Sequence, residues 1–96
     1  MIKVDLIYQG DQLIGLEMKG HANTASYGND LLCAAISAII TGGFNAFDDE
    51  DLKEITLDEG YAKVIINSEK AMIILNTIIV QLKTMEEAYP KNIKIK

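Results

Sequence analysis

The stretch IKVDLIYQGDQLIGLEMKG, Ile2 to Gly20, decides what kind of fold the chain adopts. Ile2, Val4, Leu6 and Tyr8 alternate with Lys3 and Asp5, and only Ile7 breaks the pattern. That period of two marks a strand with one buried face. Gln9-Gly10-Asp11-Gln12 carries turn residues, and beyond it Ile14, Leu16 and Met18 alternate with Gly15, Glu17 and Lys19. A hairpin that ends at Gly20 is the economical reading.

Working outward, residues Gly20 to Asn29 are small and polar and follow neither period, so a mobile loop is expected. Asn29 or Asp30 then caps a helix starting near Asp30, because Leu32, Ala35, Ile36, Ile39, Ile40, Phe44 and Phe47 recur at threes and fours. The pattern continues across Gly42-Gly43, whose small size permits close packing, and runs to about Phe47. Asp48-Asp49-Glu50-Asp51 reads as a solvated connection. Leu52 to Leu57, the turn Asp58-Glu59-Gly60, and Tyr61 to Asn67 form a second hairpin. Ser68 is placed to cap a second helix carrying Ala71, Ile74, Leu75, Ile78, Leu82, Met85 and Tyr89, which must stop before Pro90. Ile93 and Ile95 alternate with Lys94 and Lys96, as in a short edge strand blunted by charge. The order β-β-α-β-β-α-β predicts an α+β fold, one antiparallel or mixed sheet with two helices packed on one face. One domain over residues 1–96 accounts for the whole pattern.

Composition narrows the function classes. With 49% hydrophobic and 24% charged residues and a single Pro, the chain belongs with ordinary globular domains. So short a chain builds a thin core, which makes a homodimer an expectation. All nine basic residues are Lys, and the net charge of −5 opposes phosphate contacts, so no direct nucleic-acid binding is expected. The one Cys makes no intramolecular disulfide, and no apolar run approaches the roughly 20 residues of a membrane span. A soluble, cytoplasmic protein with a reduced thiol is expected.

The single His and the single Cys, His21 and Cys33, lie twelve residues apart. A free Cys is often just a small core residue. With Asp30 as cap, however, Cys33 falls in the first helical turn, where unpaired N–H groups and the helix dipole favour a thiolate. His21, at the end of strand two, has a loop long enough to fold back onto that helix start, which allows an ion pair. The backbone there, including the Cys33 N–H, supplies donors for an oxyanion. Asp30 has two readings that stay open, a helix cap or a residue orienting His21. Ser37, one turn on, either bonds back to the Cys33 carbonyl or faces substrate. Tyr27 either anchors the loop or lines a substrate groove. One His and one Cys do not supply the three or four ligands that zinc takes, and Gly20 to Gly28 lacks the phosphate-cradling signature. Neither a metal nor another cofactor is expected.

Gly20-His21-Ala22 followed by Asp30-Leu31-Leu32-Cys33-Ala34-Ala35-Ile36-Ser37 resembles the signature of the ribosomal-processing cysteine protease Prp family. Thr41-Gly42-Gly43-Phe44-Asn45-Ala46, the Ile-rich second helix and Tyr89-Pro90-Lys91-Asn92-Ile93 extend the likeness along the chain. Leu31-Leu32 departs from the β-branched pair common before the Cys, and Gly43 adds flexibility to the first helix. The resemblance implies an α+β homodimer whose His21 and Cys33 form the catalytic pair of a peptidase. The implied substrate is the short N-terminal extension of bacterial large-subunit ribosomal protein number twenty-seven. Gly20, Ala22, Tyr27, Gly28 and Ser37 become candidates for the substrate-facing loop. The rival reading is a non-catalytic, acidic, dimeric module that holds a ribosomal protein or assembly factor.

Overall fold

The computed structural model describes residues 1–20 and 27–96, with side chains for 1–20 and 31–96. The elements are β1 (Ile2–Gln9), β2 (Gln12–Lys19), α1 (Tyr27–Asn45), a 3-10 turn (Asp49–Asp51), β3 (Leu52–Asp58), β4 (Tyr61–Ile66), α2 (Met72–Ala88) and β5 (Ile93–Ile95). The order β-β-α-β-β-α-β is the one expected. The five strands make one sheet in the order β3-β4-β2-β1-β5, antiparallel except where β5 runs parallel to β1.

Register explains why one face carries the core. Val4 lies opposite Met18, Leu16 lies between Leu6 and Val64, and Met18 lies opposite Ala62, so the alternating apolar residues of three strands share a face. Both helices pack on it. Leu32, Ile36, Ile40 and Phe44 of α1 and Leu75, Ile78 and Leu82 of α2 are buried in one cluster with Val4, Leu16 and Val64. Each such fully buried aliphatic side chain contributes about 1.5–3 kcal/mol. The small residues of α1 serve this packing, since a Cβ at Gly43 would lie 2.5 Å from Ile78 Cγ1.

Helix ends differ from the sequence reading. The first helix begins at Tyr27, not near Asp30, which places Asp30 inside it as its fourth residue and rules out the cap role. Asn and Asp cost only about half a kcal/mol in a helix interior, too little to stop propagation by another turn. At the other end α1 closes at Asn45, and Phe47 lies in the following turn, buried beside Phe44 with ring centroids 6.4 Å apart. The helix α2 begins at Met72, so Ser68 heads the turn before it.

Ser68 nevertheless works as a local acceptor and donor. Its Oγ accepts the Ala71 N–H at 3.4 Å and donates to Asp51 Oδ1 at 2.8 Å. Asp51 is buried, and Lys70 Nζ lies 3.6, 3.0 and 3.4 Å from Asp48, Glu50 and Asp51 carboxylate oxygens. The charge run is therefore more than a solvated connection, because it clasps the entry of β3 to the entry of α2. The gathered carboxylates, with the Glu50 hydrogen bond first, raise the pKa of the Lys70 ammonium.

The two sheet edges are finished differently. At β5, Ile95 N–H donates to Glu86 Oε2 of α2 at 2.8 Å, and Ile93 N–H to the Tyr89 carbonyl at 3.3 Å. Seven-residue β3 forms the other edge, where Ile55 and Leu57 are 44% and 49% exposed.

Candidate active site

A groove of about 470 Å³ opens between α1 and the β3–β4 hairpin. Cys33, Ser37 and Thr41 line one wall, successive residues four apart along one helix face. Leu57 to Ala62 line the other wall, and Met18 and Gly20, at the end of β2, lie between them. Cys33 is a half-buried free thiol in this wall. Its neighbour Leu32 points the other way and is fully buried, so the helix registers the thiol toward the groove by packing leucine into the core.

The start of α1 at Tyr27 corrects the electrostatic expectation for Cys33. As the seventh residue of the helix, it lies in the second turn rather than the first. Dipole stabilisation fades within the first turn, and only the first four N–H groups lack helical partners. The Cys33 N–H therefore falls inside the helical ladder and is no oxyanion donor. Ser37 gains from the same comparison. Among the described residues its hydroxyl makes no bond to the Cys33 carbonyl, whereas Thr77 and Thr84 of α2 do bond back to Ile73 and Val80. Ser37 is exposed and lines the groove instead.

Gly20 carries the chain from β2 to the groove rim. Its φ of +104° is one that only glycine adopts readily, and the Met1 carbonyl occupies the space where a side chain would stand. Its N–H donates to the Gly60 carbonyl at 3.0 Å, tying the end of β2 to the turn of the facing hairpin. His21 is the next residue in sequence. His21 and Ala22 lie outside the described residues, as does most of the expected loop. Tyr27, Gly28 and Asn29, assigned to that loop from sequence, belong to α1.

The charged groups lie around the hairpin. Asp58 and Glu59 sit at the groove's rim. On the sheet face away from the helices, the Tyr61 hydroxyl donates to Glu17 Oε2, and Lys63 pairs with Glu54 at 3.0 Å. The Tyr61 hydrogen bond, foremost, holds the Glu17 carboxyl below its ordinary value, and Glu17 in turn raises the Tyr61 phenol. Glu54 raises the Lys63 ammonium in the same way. The sequence reading placed Leu57 to Ala62 in a hairpin, which the structure bears out, but did not make them a wall of the site. Its approach to α1 follows from strand order, which local periodicity does not encode.

The comparisons with known proteins agree with this geometry. Residues 1–94 match the family described as cysteine protease Prp. The ribosomal processing cysteine protease Prp of Staphylococcus aureus is 33% identical, with 99% of this chain and 97% of that protein covered. Its Bacillus subtilis counterpart is 33% identical over 86% of this chain and 84% of its own length. In structure, the chain resembles the ribosomal processing protease Prp from S. aureus in complex with a substrate peptide. The TM-score is 0.83 at 31% identity, covering 100% of this chain and 98% of that one. A second S. aureus structure, with a covalently linked product peptide, gives a TM-score of 0.82 at 33% identity, again covering 100% and 98%. The chain belongs to the cysteine protease Prp family and is a cysteine protease.

Proposed function

We propose that this protease removes the N-terminal extension of bacterial large-subunit ribosomal protein number twenty-seven, with Cys33 as nucleophile and His21 as its acid and base. The observation that carries the reading is the position of Cys33, the chain's one thiol, half-buried in the wall of a groove. The solved relatives bound to substrate and product peptides support a peptide as the occupant.

In this mechanism His21 takes the Cys33 proton, and the thiolate attacks the scissile carbonyl to form a tetrahedral intermediate. Imidazolium His21 then protonates the leaving amine, and the acyl-enzyme forms. Water, activated by neutral His21, adds to the thioester carbonyl and releases the acid and the thiol. Because Cys33 stands in the second helical turn, the helix end contributes little to the thiolate, and the imidazole carries that task. The Ser37 hydroxyl, one turn along, donates a hydrogen bond to the developing oxyanion in place of the helix backbone. Asp30, freed of capping, keeps the role of orienting His21. Gly20, Ala22, Tyr27 and Gly28 supply further contacts to the peptide beside the catalytic pair.

A net charge of −5, with Asp58 and Glu59 at the rim, speeds encounter with a basic ribosomal substrate. The protein acts in the cytoplasm as a homodimer. Its membership in a protease family displaces the binding-module alternative. Mass spectrometry of a synthetic peptide spanning the extension tests the proposal. Cleavage is expected to be lost by about a thousandfold or more in Cys33→Ala and in His21→Ala. Iodoacetamide alkylation of Cys33 at pH 6 is expected to slow sharply in His21→Ala. Unchanged cleavage in either variant removes the Cys–His assignment, and an intact peptide with the wild-type enzyme removes the substrate.

A further inference from the structure

The free edge of β3 has a definite hydrogen-bonding phase. Gly60 accepts from Gly20, and Ala62 and Val64 lie opposite Met18 and Leu16. Even-numbered residues of β4 therefore aim their main-chain groups at β2, while Tyr61, Lys63 and Ile65 aim theirs at Asp58, Thr56 and Glu54. The alternation leaves the N–H and C=O of Ile55 and Leu57 pointing away from the sheet. Their side chains stand on the helix-side face, opposite Val64 and Ala62, yet about half of each is open to solvent. Leu57 also lines the groove that holds Cys33. Among the described residues nothing pairs with this edge. The same residues thus offer open main chain, exposed apolar side chains and continuity with the thiol.

We propose that the substrate peptide adds to β3 as a sixth strand, bonded to the main chain of Ile55 and Leu57, and then turns over Leu57 into the groove to reach Cys33. The inference rests on the peptidase reading above and specifies how the same site holds its substrate. An extended chain is the occupant that uses both the backbone and the side chains of such an edge. Strand spacing of about 4.8 Å sets the added strand directly beside Leu57. An edge ending in Asp58 and Glu59, on a chain of charge −5, favours a basic peptide over a second, equally acidic copy. Main-chain pairing gives affinity independent of sequence, while alternate side chains beside Ile55 and Leu57 supply selection.

The test is a set of peptides spanning the ribosomal-protein extension, each with one backbone amide N-methylated. Binding is measured on Cys33→Ala and cleavage on the wild type. In the segment that pairs with β3, methylation at every second residue is expected to weaken binding about fivefold, with little effect between. Ile55→Pro removes one outward N–H at an edge position that tolerates proline. It is expected to raise KM about fivefold with kcat and Tm unchanged, while Thr56→Val, whose backbone faces β4, changes neither. The N-methyl series does not depend on that variant folding. Losses without a period of two, or wild-type kinetics in Ile55→Pro, overturn the edge pairing and leave the peptidase reading standing. Period-two binding with no cleavage by the wild type supports the edge pairing and removes the ribosomal-protein extension as the cleaved substrate. Sedimentation showing a dimer that Ile55→Pro dissolves assigns the edge to a second copy and overturns the proposal.

Discussion

At β5 the sheet ends in three residues, with Lys94 and Lys96 on either side of Ile95, and the outward N–H groups of Ile93 and Ile95 are taken up by the Tyr89 carbonyl just past α2 and by Glu86 of α2. At β3 it ends in seven residues, with Ile55 and Leu57 exposed and Cys33 across the groove. Both edges face the same physical hazard, a row of unpaired backbone that recruits other chains. One is closed by a helix and by charge. The other is left open beside the groove that holds Cys33. The difference teaches that stability and activity are housed at opposite ends of one sheet, and substitutions at each end test that division.

The largest effect on stability is expected at the closed end. Leu82 of α2 is fully buried in the core, and Leu82→Ala is expected to cost about 2–5 kcal/mol by urea denaturation, through reduced transfer energy and the cavity left behind. At a temperature where the variant stays folded, its kcat/KM per mole of folded protein is expected to match the wild type. A large loss of kcat/KM with folding intact would break the division. Next comes Leu57→Asn at the open end. Half of this side chain is already in water, so stability is expected to change by less than about 0.5 kcal/mol. Peptide cleavage should fall about fivefold, because the shorter polar side chain gives up about 1 kcal/mol of apolar burial against the substrate. Equal losses of stability and activity would place Leu57 in the fold rather than in the site.

The open and closed ends were also unequally legible in the sequence. Element order, both hairpins and the core stripe of α2 were readable because they depend on local period, as in Ile2-Val4-Leu6 and Leu75-Ile78-Leu82. Lys94 and Lys96 announced an edge strand for the same reason. The start of α1 was not readable, since Asn29 and Asp30 signal a cap but also tolerate a helix interior, and the error moved Cys33 from the first turn to the second. The wall opposite Cys33 was hidden for a different reason. Leu57 to Ala62 reach the groove only because β4 pairs with β2, which joins residues more than forty apart such as Met18 and Ala62. Asp51 likewise looked solvated until Ser68 and Lys70 folded onto it.

A finer probe of the closed edge is Glu86→Ala. The substitution leaves the outward Ile95 N–H without its carboxylate partner, at an expected cost of about 1 kcal/mol. Hydrogen exchange should show the Ile95 amide losing protection, while the amides of β3 exchange as before. If the variant also exposes the backbone enough to aggregate, then the Glu86 carboxylate is what keeps this edge closed, and the contrast with β3 is sharpened.

The smallest effect is expected from the hydrogen bond between Tyr61 and Glu17, which joins β4 to β2 beneath the groove wall. Folding lowers the Glu17 carboxyl from its ordinary 4.5, so the bond stabilises the protein above that pH and is lost as pH falls through the lower folded value. Folding raises the Tyr61 phenol from its ordinary 10.0, so the same bond is present below pH 10 and lost as pH rises through the higher folded value. The pair therefore stabilises across the neutral range and at neither extreme. Because it lies at the solvent-facing side of the sheet, water screens it and its contribution is small. Tyr61→Phe is expected to lower Tm slightly between about pH 5 and 9, with the curves of variant and wild type converging in acid. A difference that persists undiminished at pH 2 would show that Tyr61 contributes through packing against the hairpin and not through its bond to Glu17.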